Sequence, residues 1–161
     1  MVKEINLETI EVVEGLTDAI AVHIYLLLLE VEKGASFEDK KEGLEFLKKT
    51  YSLDNIKRWA DDFVLSLWKN GVFVGFGRAK KDGWITHVYI DKDFQKQGIG
   101  TKILGLLERK LKENGNAELF LNSDLKALGF YKRHGWNEKN EKPTNYHGIL
   151  LLPMVKIVKS E

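Results

Sequence analysis

Two glycines near the middle of the chain, Gly98 and Gly100, separate a β-rich stretch from a helical one. Residues 84–90 are rich in β-branched and aromatic side chains, which predicts a strand. Beyond the glycines, apolar residues recur near helical spacing, which predicts a helix starting there. A helix start offers unpaired backbone N–H groups and the positive end of the helix dipole, and glycine lets a phosphate come close. The stretch therefore predicts a pyrophosphate site; the alternative is a tight turn that binds nothing.

Spacing excludes two familiar phosphate loops. The P-loop requires Gly-Lys-Ser/Thr, whereas Ile99 and Thr101 follow the two glycines. The dinucleotide fingerprint requires a small residue three positions after the second glycine, where Ile103 stands. The loop therefore belongs to neither class.

Composition sets broad limits on the fold and its partners. The chain has 161 residues, 43% hydrophobic and 30% charged, which is typical of one globular domain over residues 1–161. The formal charge of +1 favours neither nucleic acid nor an anionic membrane as a partner. The absence of cysteine excludes disulfides and thiolate chemistry. No metal is expected, because His23, His134 and His147 have no ligand at metal-binding spacing. A cytoplasmic location is expected by default.

Periodicity and turn residues predict the remaining elements. Strands are predicted at residues 5–13, 63–68, 72–79, 84–90 and 117–121 and within 146–158, where Pro153 is a bulge or edge position. Helices are predicted at 19–32 and 53–60, from 98 to about 114 and from 124 to about 134, with another capped by Ser36 or Asp39. The first helix is apolar nearly all round, which predicts burial. This order favours an α+β or α/β layered domain with a mixed sheet.

The loop and its flanks carry a family resemblance. Residues 88–100, Val-Tyr-Ile-Asp-Lys-Asp-Phe-Gln-Lys-Gln-Gly-Ile-Gly, resemble motif A of the GNAT acetyltransferase superfamily. That family uses the motif to hold the pyrophosphate of acetyl-coenzyme A. Residues 122–136 resemble its motif B through Ala127, Tyr131 and Gly135, with Trp136 in place of the usual phenylalanine. The resemblance implies the GNAT fold, a mixed and mostly antiparallel sheet flanked by helices.

The resemblance also implies a cofactor site. If strand 84–90 diverges from strand 117–121, the gap exposes unpaired backbone groups, with which an extended pantetheine arm can pair. The resemblance places this pairing at residues 88–90, and Asn122 is suited either to hydrogen-bond the arm or to cap the next helix. The implied residues for acetyl-CoA are Val88, Tyr89, Ile90, Gln95, Lys96, Gln97, Gly98, Ile99, Gly100, Thr101, Asn122 and Tyr131.

The implied reaction is direct attack of an amine on the acetyl thioester, which needs a proton acceptor and a proton donor. Tyr131 is the candidate general acid, because a phenol of pKa about 10 can protonate a departing thiolate; the alternative is a tyrosine packed in the core. His87 is the candidate base, with a reference pKa of about 6.5; the alternative is a buried histidine. Tyr89 shares the side of His87 if the strand is regular, and a bulge would break that parity.

The sequence thus predicts an acetyl-CoA-dependent N-acetyltransferase acting on a primary amine of a small molecule or peptide. Two competitors are a non-catalytic acyl-CoA-binding or regulatory domain and a nucleotide-phosphate binder of another fold. Homodimerisation is left open. The acceptor is not identified, and the aromatic residues Tyr25, Tyr51, Trp59, Trp68 and Trp84 are expected mainly to fill the core.

Overall fold

The computed structural model describes residues 9–32 and 40–158. The helices in these ranges are α1 Asp18–Glu32, α2 Lys40–Thr50, α3 Leu53–Lys57, α4 Ile99–Glu113 and α5 Leu128–Arg133. The strands are β1 Ile10–Glu14, β2 Phe63–Lys69, β3 Val72–Ala79, β4 Ile85–Ile90, β5 Glu118–Asp124, β6 Asn137–Glu138, β7 Thr144–Tyr146 and β8 Ile149–Ile157. Short 3₁₀ turns lie at Arg58–Asp61 and Lys92–Phe94.

The strands form two antiparallel units placed side by side. The first runs β1-β2-β3-β4; in the second, β8 pairs with β5 on one side and with β6 and β7 on the other. A parallel bridge between Trp84 and Phe120 joins the units where β4 and β5 begin. The predicted α+β architecture with a mostly antiparallel sheet is confirmed.

Helices cover both faces of the first unit. The apolar side of α4 packs on one face of β2 and β3, whereas α1, α3 and the turn after α3 pack on the other. Consecutive residues of both strands are therefore buried, which explains why their sequences read as continuous apolar runs. Asn70 and Gly71 connect the two strands with φ of 49° and 77°, the conformation of a tight hairpin turn.

The N-terminal elements correct two expectations. Within the described residues the first strand spans Ile10–Glu14, so it excludes Thr9 and ends one residue beyond the predicted end at 13; residues 5–8 of the predicted strand lie outside the described residues. The helix α1 is not buried all round, because Val22 and Leu26 are 42% and 53% exposed; the helix lies on the surface of the sheet, so only one side of it can be covered. The Thr17 hydroxyl oxygen accepts from the Ile20 N–H and caps this helix, whereas the proposed caps Ser36 and Asp39 of the next helix lie outside the described residues.

The C-terminal elements test two further predictions, one for Asp124 and one for Pro153. Asp124 does not cap α5: it ends β5, and its carboxylate accepts a hydrogen bond from the Lys126 N–H at 2.7 Å, so the helix starts only at Leu128. Although β8 has neighbours on both sides, Pro153 pairs only with Asn122 of β5 among the described residues and falls between the residues that pair with β6 and with β7, so it has the predicted edge position locally. Its carbonyl accepts from the Lys139 N–H, so its missing N–H faces the break between β6 and β7 and costs no ladder bond.

Close packing of α4 on β3 gives a first prediction. A Cβ at Gly77 would lie 2.8 Å from Leu107 Cδ1 and 2.9 Å from Ile103 Cγ1, both buried. Gly77→Ala should therefore lower the free energy of unfolding by about 1–3 kcal/mol through overpacking. The matched control is Gly105→Ala on the exposed side of α4, where a Cβ meets nothing within 4 Å; it should stabilise by about 0.5–1 kcal/mol. Urea denaturation measures both, and equal effects would contradict the packing argument.

Candidate active site

A large cleft opens where the two sheet units separate. Beyond the bridge at Trp84 and Phe120, no ladder joins β4 to β5 among the described residues. The cleft has a volume of about 1370 Å³ and runs from the first turn of α4, past the exposed edge of β4, to α1, α2 and the β7–β8 turn. This is the predicted gap, and it joins the glycine loop to the rest of the site.

The glycine loop forms one end of the cleft. Gly98 has φ of +83°, the left-handed conformation that favours glycine, and stands directly before α4. The first intrahelical bond runs from the Lys102 N–H to the Gly98 carbonyl, so the preceding amides of the first turn have no helical acceptor. The Gln95 side chain donates to the Ile90 carbonyl at 3.0 Å and fastens the loop to the end of β4. The arrangement presents amides and a helix dipole to an anion.

The structure separates the loop residues into two groups. The cleft is lined by Gln95, Lys96, Gly98, Gly100 and Thr101. Ile99 and Gln97 do not line it: the Ile99 side chain is 1% exposed in the core, and Gln97 Oε1 is buried without a hydrogen-bond partner among the described residues. Both can still contribute their backbone N–H.

Basic side chains surround this end of the cleft. Lys92, Lys126 and Arg133 line it together with Lys96, and the Thr101 hydroxyl hydrogen-bonds His134 Nε2 at 2.9 Å, tying α4 to α5. Sequence reasoning missed these three cations, because they lie far apart in the chain and only the fold brings them together. Their charge favours an anionic ligand at the loop.

A bulge in β4 sets which side chains face the cleft. Arg78 pairs with His87 but the next residue, Ala79, pairs with Ile85, which leaves Thr86 as an extra residue. Ile85 and Val88 therefore pack in the core beneath α4. His87 and Tyr89 share the opposite side, with ring centroids 5.7 Å apart, so the predicted parity of these two residues holds. Val88, Tyr89 and Ile90 line the cleft along its β4 edge.

Asn122 lies across the gap from that edge. It is on β5, lines the cleft, and is exposed. Because α5 begins at Leu128, Asn122 does not cap that helix. The helix-cap interpretation is therefore wrong, and a contact between Asn122 and a ligand in the cleft stays a prediction.

His87 lies in an aromatic cluster. Its imidazole is 6% exposed, and ring centroids of Trp59, Tyr51 and Phe76 lie 4.8, 5.5 and 5.6 Å away. Burial, and secondarily the charge of Arg78, lower the pKa of His87 to about 3. The expected pKa near 6.5 is therefore wrong for the folded protein, and so weak a base is poorly matched to an ammonium of pKa about 10. Nε2 is buried with no partner among the described residues, which costs about 1–3 kcal/mol unless a ligand completes it.

Tyr131 approaches the gap from α5. Its ring packs edge-on against Phe130 and Trp136, and the Trp136 indole in turn donates to Glu108 on α4 at 2.9 Å. Burial raises the pKa of Tyr131 to about 12, so the phenol stays protonated at neutral pH. The tyrosine is thus both packed on the core and placed at the gap, so the two sequence interpretations do not exclude each other.

A second, small cavity brings the candidate catalytic residues together. It has a volume of about 80 Å³, and His87 and Tyr131 both line it, with Val88, Asn122 and Asp124. His87, Val88 and Asn122 also line the large cleft. A group that entered this cavity would therefore have both the Tyr131 phenol and the His87 imidazole in its lining.

The far end of the cleft is aromatic and apolar. Its lining includes Phe46, Tyr51, Trp59, Tyr146, Ile149 and Leu151. Phe46 on α2 stacks on His147 with centroids 4.4 Å apart, so the β7–β8 turn meets α2 across the cleft. Tyr51, Trp59 and Trp84 line the cleft, whereas the favoured expectation is that they fill the core; Tyr51 and Trp59 also pack in the core.

The far end of the cleft has a paired arginine and an acidic residue, whereas the loop end is lined by several basic side chains. The Arg78 guanidinium contacts the Asp62 carboxylate at 2.7 Å and lies 4.3 Å from the Trp59 ring centroid, so it is already paired. The carboxylate of Glu30 lines this end. The cleft is therefore cationic at the loop and aromatic with an acidic group at the opposite end.

The described residues contain neither a candidate metal site nor a candidate membrane-spanning helix. No group of three or more histidine, aspartate, glutamate or cysteine side chains there could hold a metal ion. Among the helices of residues 9–32 and 40–158, none combines the length and the apolar character that crossing a membrane requires.

Comparison with known proteins finds acetyltransferases. The family model described as "Acetyltransferase (GNAT) domain" matches residues 37–158. An uncharacterised N-acetyltransferase of Bacillus subtilis is 34% identical over 86 residues, which are 52% of this chain and 61% of that protein. The chain thus matches less than two thirds of that relative's length. A ribosomal protein bS18 alanine N-acetyltransferase of Escherichia coli K12 is 24% identical over 115 residues, 68% of this chain and 76% of that protein.

Solved structures show the same fold. The PaiA N-acetyltransferase of Thermoplasma acidophilum, crystallised in complex with coenzyme A, matches with a TM-score of 0.76 at 16% identity. The match covers 92% of this chain and 99% of that one. The family model spans most of the sequence, including the glycine loop, both edges of the gap and α5. The chain belongs to the GNAT acetyltransferase family.

Proposed function

We propose that this protein is an acetyl-CoA-dependent N-acetyltransferase whose acceptor is a primary amine on an apolar body. The observation that carries the proposal is the continuity of one cleft: the glycine loop, the β4–β5 gap and the Tyr131–His87 cavity adjoin one another. These three surfaces follow one another in the order that acetyl-CoA requires: a diphosphate at the loop, an extended pantetheine arm along β4 and a thioester near Val88. A binder of nucleotide phosphates with another fold is excluded by the fold itself.

The chain's residues would hold the acyl donor in three places. Amides at the start of α4, with Lys92, Lys96 and Arg133 nearby, would bind the phosphates. The free edge of β4 and the Asn122 amide would bind the pantetheine arm. In the reaction, the amine nitrogen bonds to the acetyl carbon and the carbon–sulfur bond breaks; the nitrogen loses one proton as the amide forms, and the departing sulfur gains one, both by exchange with solvent. Tyr131 would supply the hydrogen bond to that sulfur, and solvent would take the proton that the ammonium loses.

The far end of the cleft supports the acceptor class. Aromatic and aliphatic side chains line it, and its one basic group named above, Arg78, is already paired with Asp62. An anionic body would therefore gain no unpaired cation from Arg78, whereas an apolar body can be buried there. The Escherichia coli relative acetylates an alanine of a ribosomal protein, according to its name, so a free peptide N-terminus belongs among the acceptors tested.

Calorimetry with coenzyme A and a thiol-release assay with acetyl-CoA test the proposal. The amines are 2-phenylethylamine, a peptide with N-terminal alanine, and glutamate as the anionic probe. We expect binding heat with coenzyme A. We expect thiol release with 2-phenylethylamine, with the alanine peptide or with both, and no thiol release with glutamate. Binding without release would favour the non-catalytic acyl-CoA-binding domain, and no binding would refute both.

A variant at the glycine loop sharpens the test. A Cβ at Gly100 would lie 3.4 Å from Phe130 Cζ, so the branched side chain of Gly100→Val must crowd the mouth of the first turn. Loss of one phosphate–amide bond, about 1.5–3 kcal/mol, should weaken coenzyme A at least about tenfold. Gly105→Ala, on the exposed side of the same helix, should leave the Kd unchanged. Gly98→Val is a poorer choice, because its φ of +83° strains a β-branched residue.

A further inference from the structure

The bulge residue Thr86 makes two short polar contacts. Its hydroxyl oxygen lies 3.2 Å from the Arg78 carbonyl oxygen and 2.9 Å from His87 Nδ1. A carbonyl oxygen can only accept, so the single hydroxyl hydrogen of Thr86 donates to Arg78. The contact with His87 must then run the other way, from Nδ1–H to the hydroxyl oxygen. A neutral imidazole carries one N–H, so Nε2 bears a lone pair.

The opposite assignment satisfies fewer groups. If Thr86 donated to Nδ1, the Arg78 carbonyl would lose that hydrogen bond. His87 would then carry a buried Nε2–H with no acceptor among the described residues. Buried N–H groups without a partner are rarer in proteins than buried acceptors without one. The geometry therefore selects the Nδ1–H tautomer.

The position of Nε2 points to a ligand. His87 is 6% exposed as a whole residue, its Nε2 is buried, and the residue lines both the large cleft and the small cavity. Val88, where the thioester is expected, and Tyr131 line that same small cavity. None of the rings around His87 donates a hydrogen bond to Nε2 within the described part of the chain. A donor entering from the cleft is thus the partner that the lone pair lacks.

We propose that Thr86 is a positioning residue that fixes His87 in the tautomer whose Nε2 lone pair accepts a hydrogen bond from the attacking amine. This inference rests on the proposed function. A primary amine can donate one N–H to Nε2 and still direct its own lone pair at the acyl carbon. As the new bond forms, the nitrogen becomes positive and the hydrogen bond strengthens, which favours the transition state over the ground state. His87 thereby orients the nucleophile without having to take its proton.

Nitrogen NMR of the histidine rings, combined with kinetics, tests the inference. The protein is labelled with ¹⁵N, and the His87 signals are identified by their loss in His87→Gln. In the wild type we expect a protonated Nδ1 and a bare Nε2 between pH 6 and 8. Thr86→Val, which removes the hydroxyl at nearly constant volume, should mix or invert the tautomers. Thr86→Ser, which keeps the hydroxyl, should have the same His87 nitrogen spectrum as the wild type.

The kinetic readout separates positioning from a structural role. The substrate is the better acceptor of 2-phenylethylamine and the alanine peptide. Thr86→Val should lower kcat/KM for this amine about tenfold and leave the Kd for coenzyme A unchanged. Thr86→Ser should have the kcat/KM of the wild type. An Nε2–H tautomer in the wild type would overturn the inference, and so would unchanged kcat/KM in Thr86→Val. If the spectrum agrees but wild type acetylates no amine, the proposed function fails and the amine contact fails with it, whereas the tautomer assignment stands.

Discussion

Tyr131→Phe should lower kcat about 100-fold or more while changing the Kd for coenzyme A less than about twofold, because removing a hydrogen-bond donor to charge that develops in the transition state typically costs about 10²–10³-fold in kcat. The change removes one hydroxyl and keeps the ring that packs against Phe130 and Trp136. Thiol release at saturating acetyl-CoA and amine measures kcat, and calorimetry measures the Kd.

The raised pKa of Tyr131 refines this expectation. At about 12 it lies roughly three to four units above that of a thiol, about 8.5, so complete transfer of the proton to sulfur is uphill. The phenol therefore acts best as a hydrogen-bond donor that strengthens as negative charge grows on sulfur. Because the phenol stays protonated, its ionisation should produce no fall in kcat between pH 7 and 10.

A matched variant controls for general damage. Tyr25→Phe removes a phenol from the cluster beneath α1, and Tyr25 does not line the cleft; its kcat should equal that of the wild type. If Tyr131→Phe also kept the wild-type kcat, Tyr131 would have no part in the chemistry.

Local features of the site could be predicted because contiguous residues encode them. The strand, the loop with a left-handed glycine at Gly98, and the helix that follows occupy one short stretch, and each depends on residue types that act over a few positions. The same holds for the Asn70-Gly71 hairpin. The divergence of β4 and β5 was also predicted, although through family resemblance and not through periodicity.

Features that depend on distant residues escaped prediction. The pKa of His87 is set by burial among Tyr51, Trp59 and Phe76, which belong to three separate segments. The extra residue at Thr86 was equally invisible, since a bulge arises from pairing with β3 and leaves no local pattern. For the same reason, the exposure of Val22 and Leu26 followed from how little of α1 the sheet covers and not from the apolar character of the helix itself.

Acid should destabilise the wild type more than a His87→Gln variant. The pKa of His87 is about 3 in the folded protein and about 6.5 when unfolded. Between these values the unfolded chain binds the additional proton, so the stability contributed by His87 is complete above pH 6.5 and is lost as the pH falls toward 3. From pH 7 to 5 the wild type should lose about 2 kcal/mol more than the variant, a roughly 30-fold change in the unfolding equilibrium.

Urea denaturation of both proteins at pH 8, 7, 6 and 5 measures this difference. The two free energies of unfolding should run parallel between pH 8 and 7, where His87 is neutral in both states, and this interval serves as the internal control. Below pH 6.5 they should converge or cross with a slope difference that approaches one proton. Parallel curves down to pH 5 would show that His87 titrates in the fold as it does in water. The aromatic burial of its ring would then be wrong, and a neutral Nε2 could not be assumed at the site.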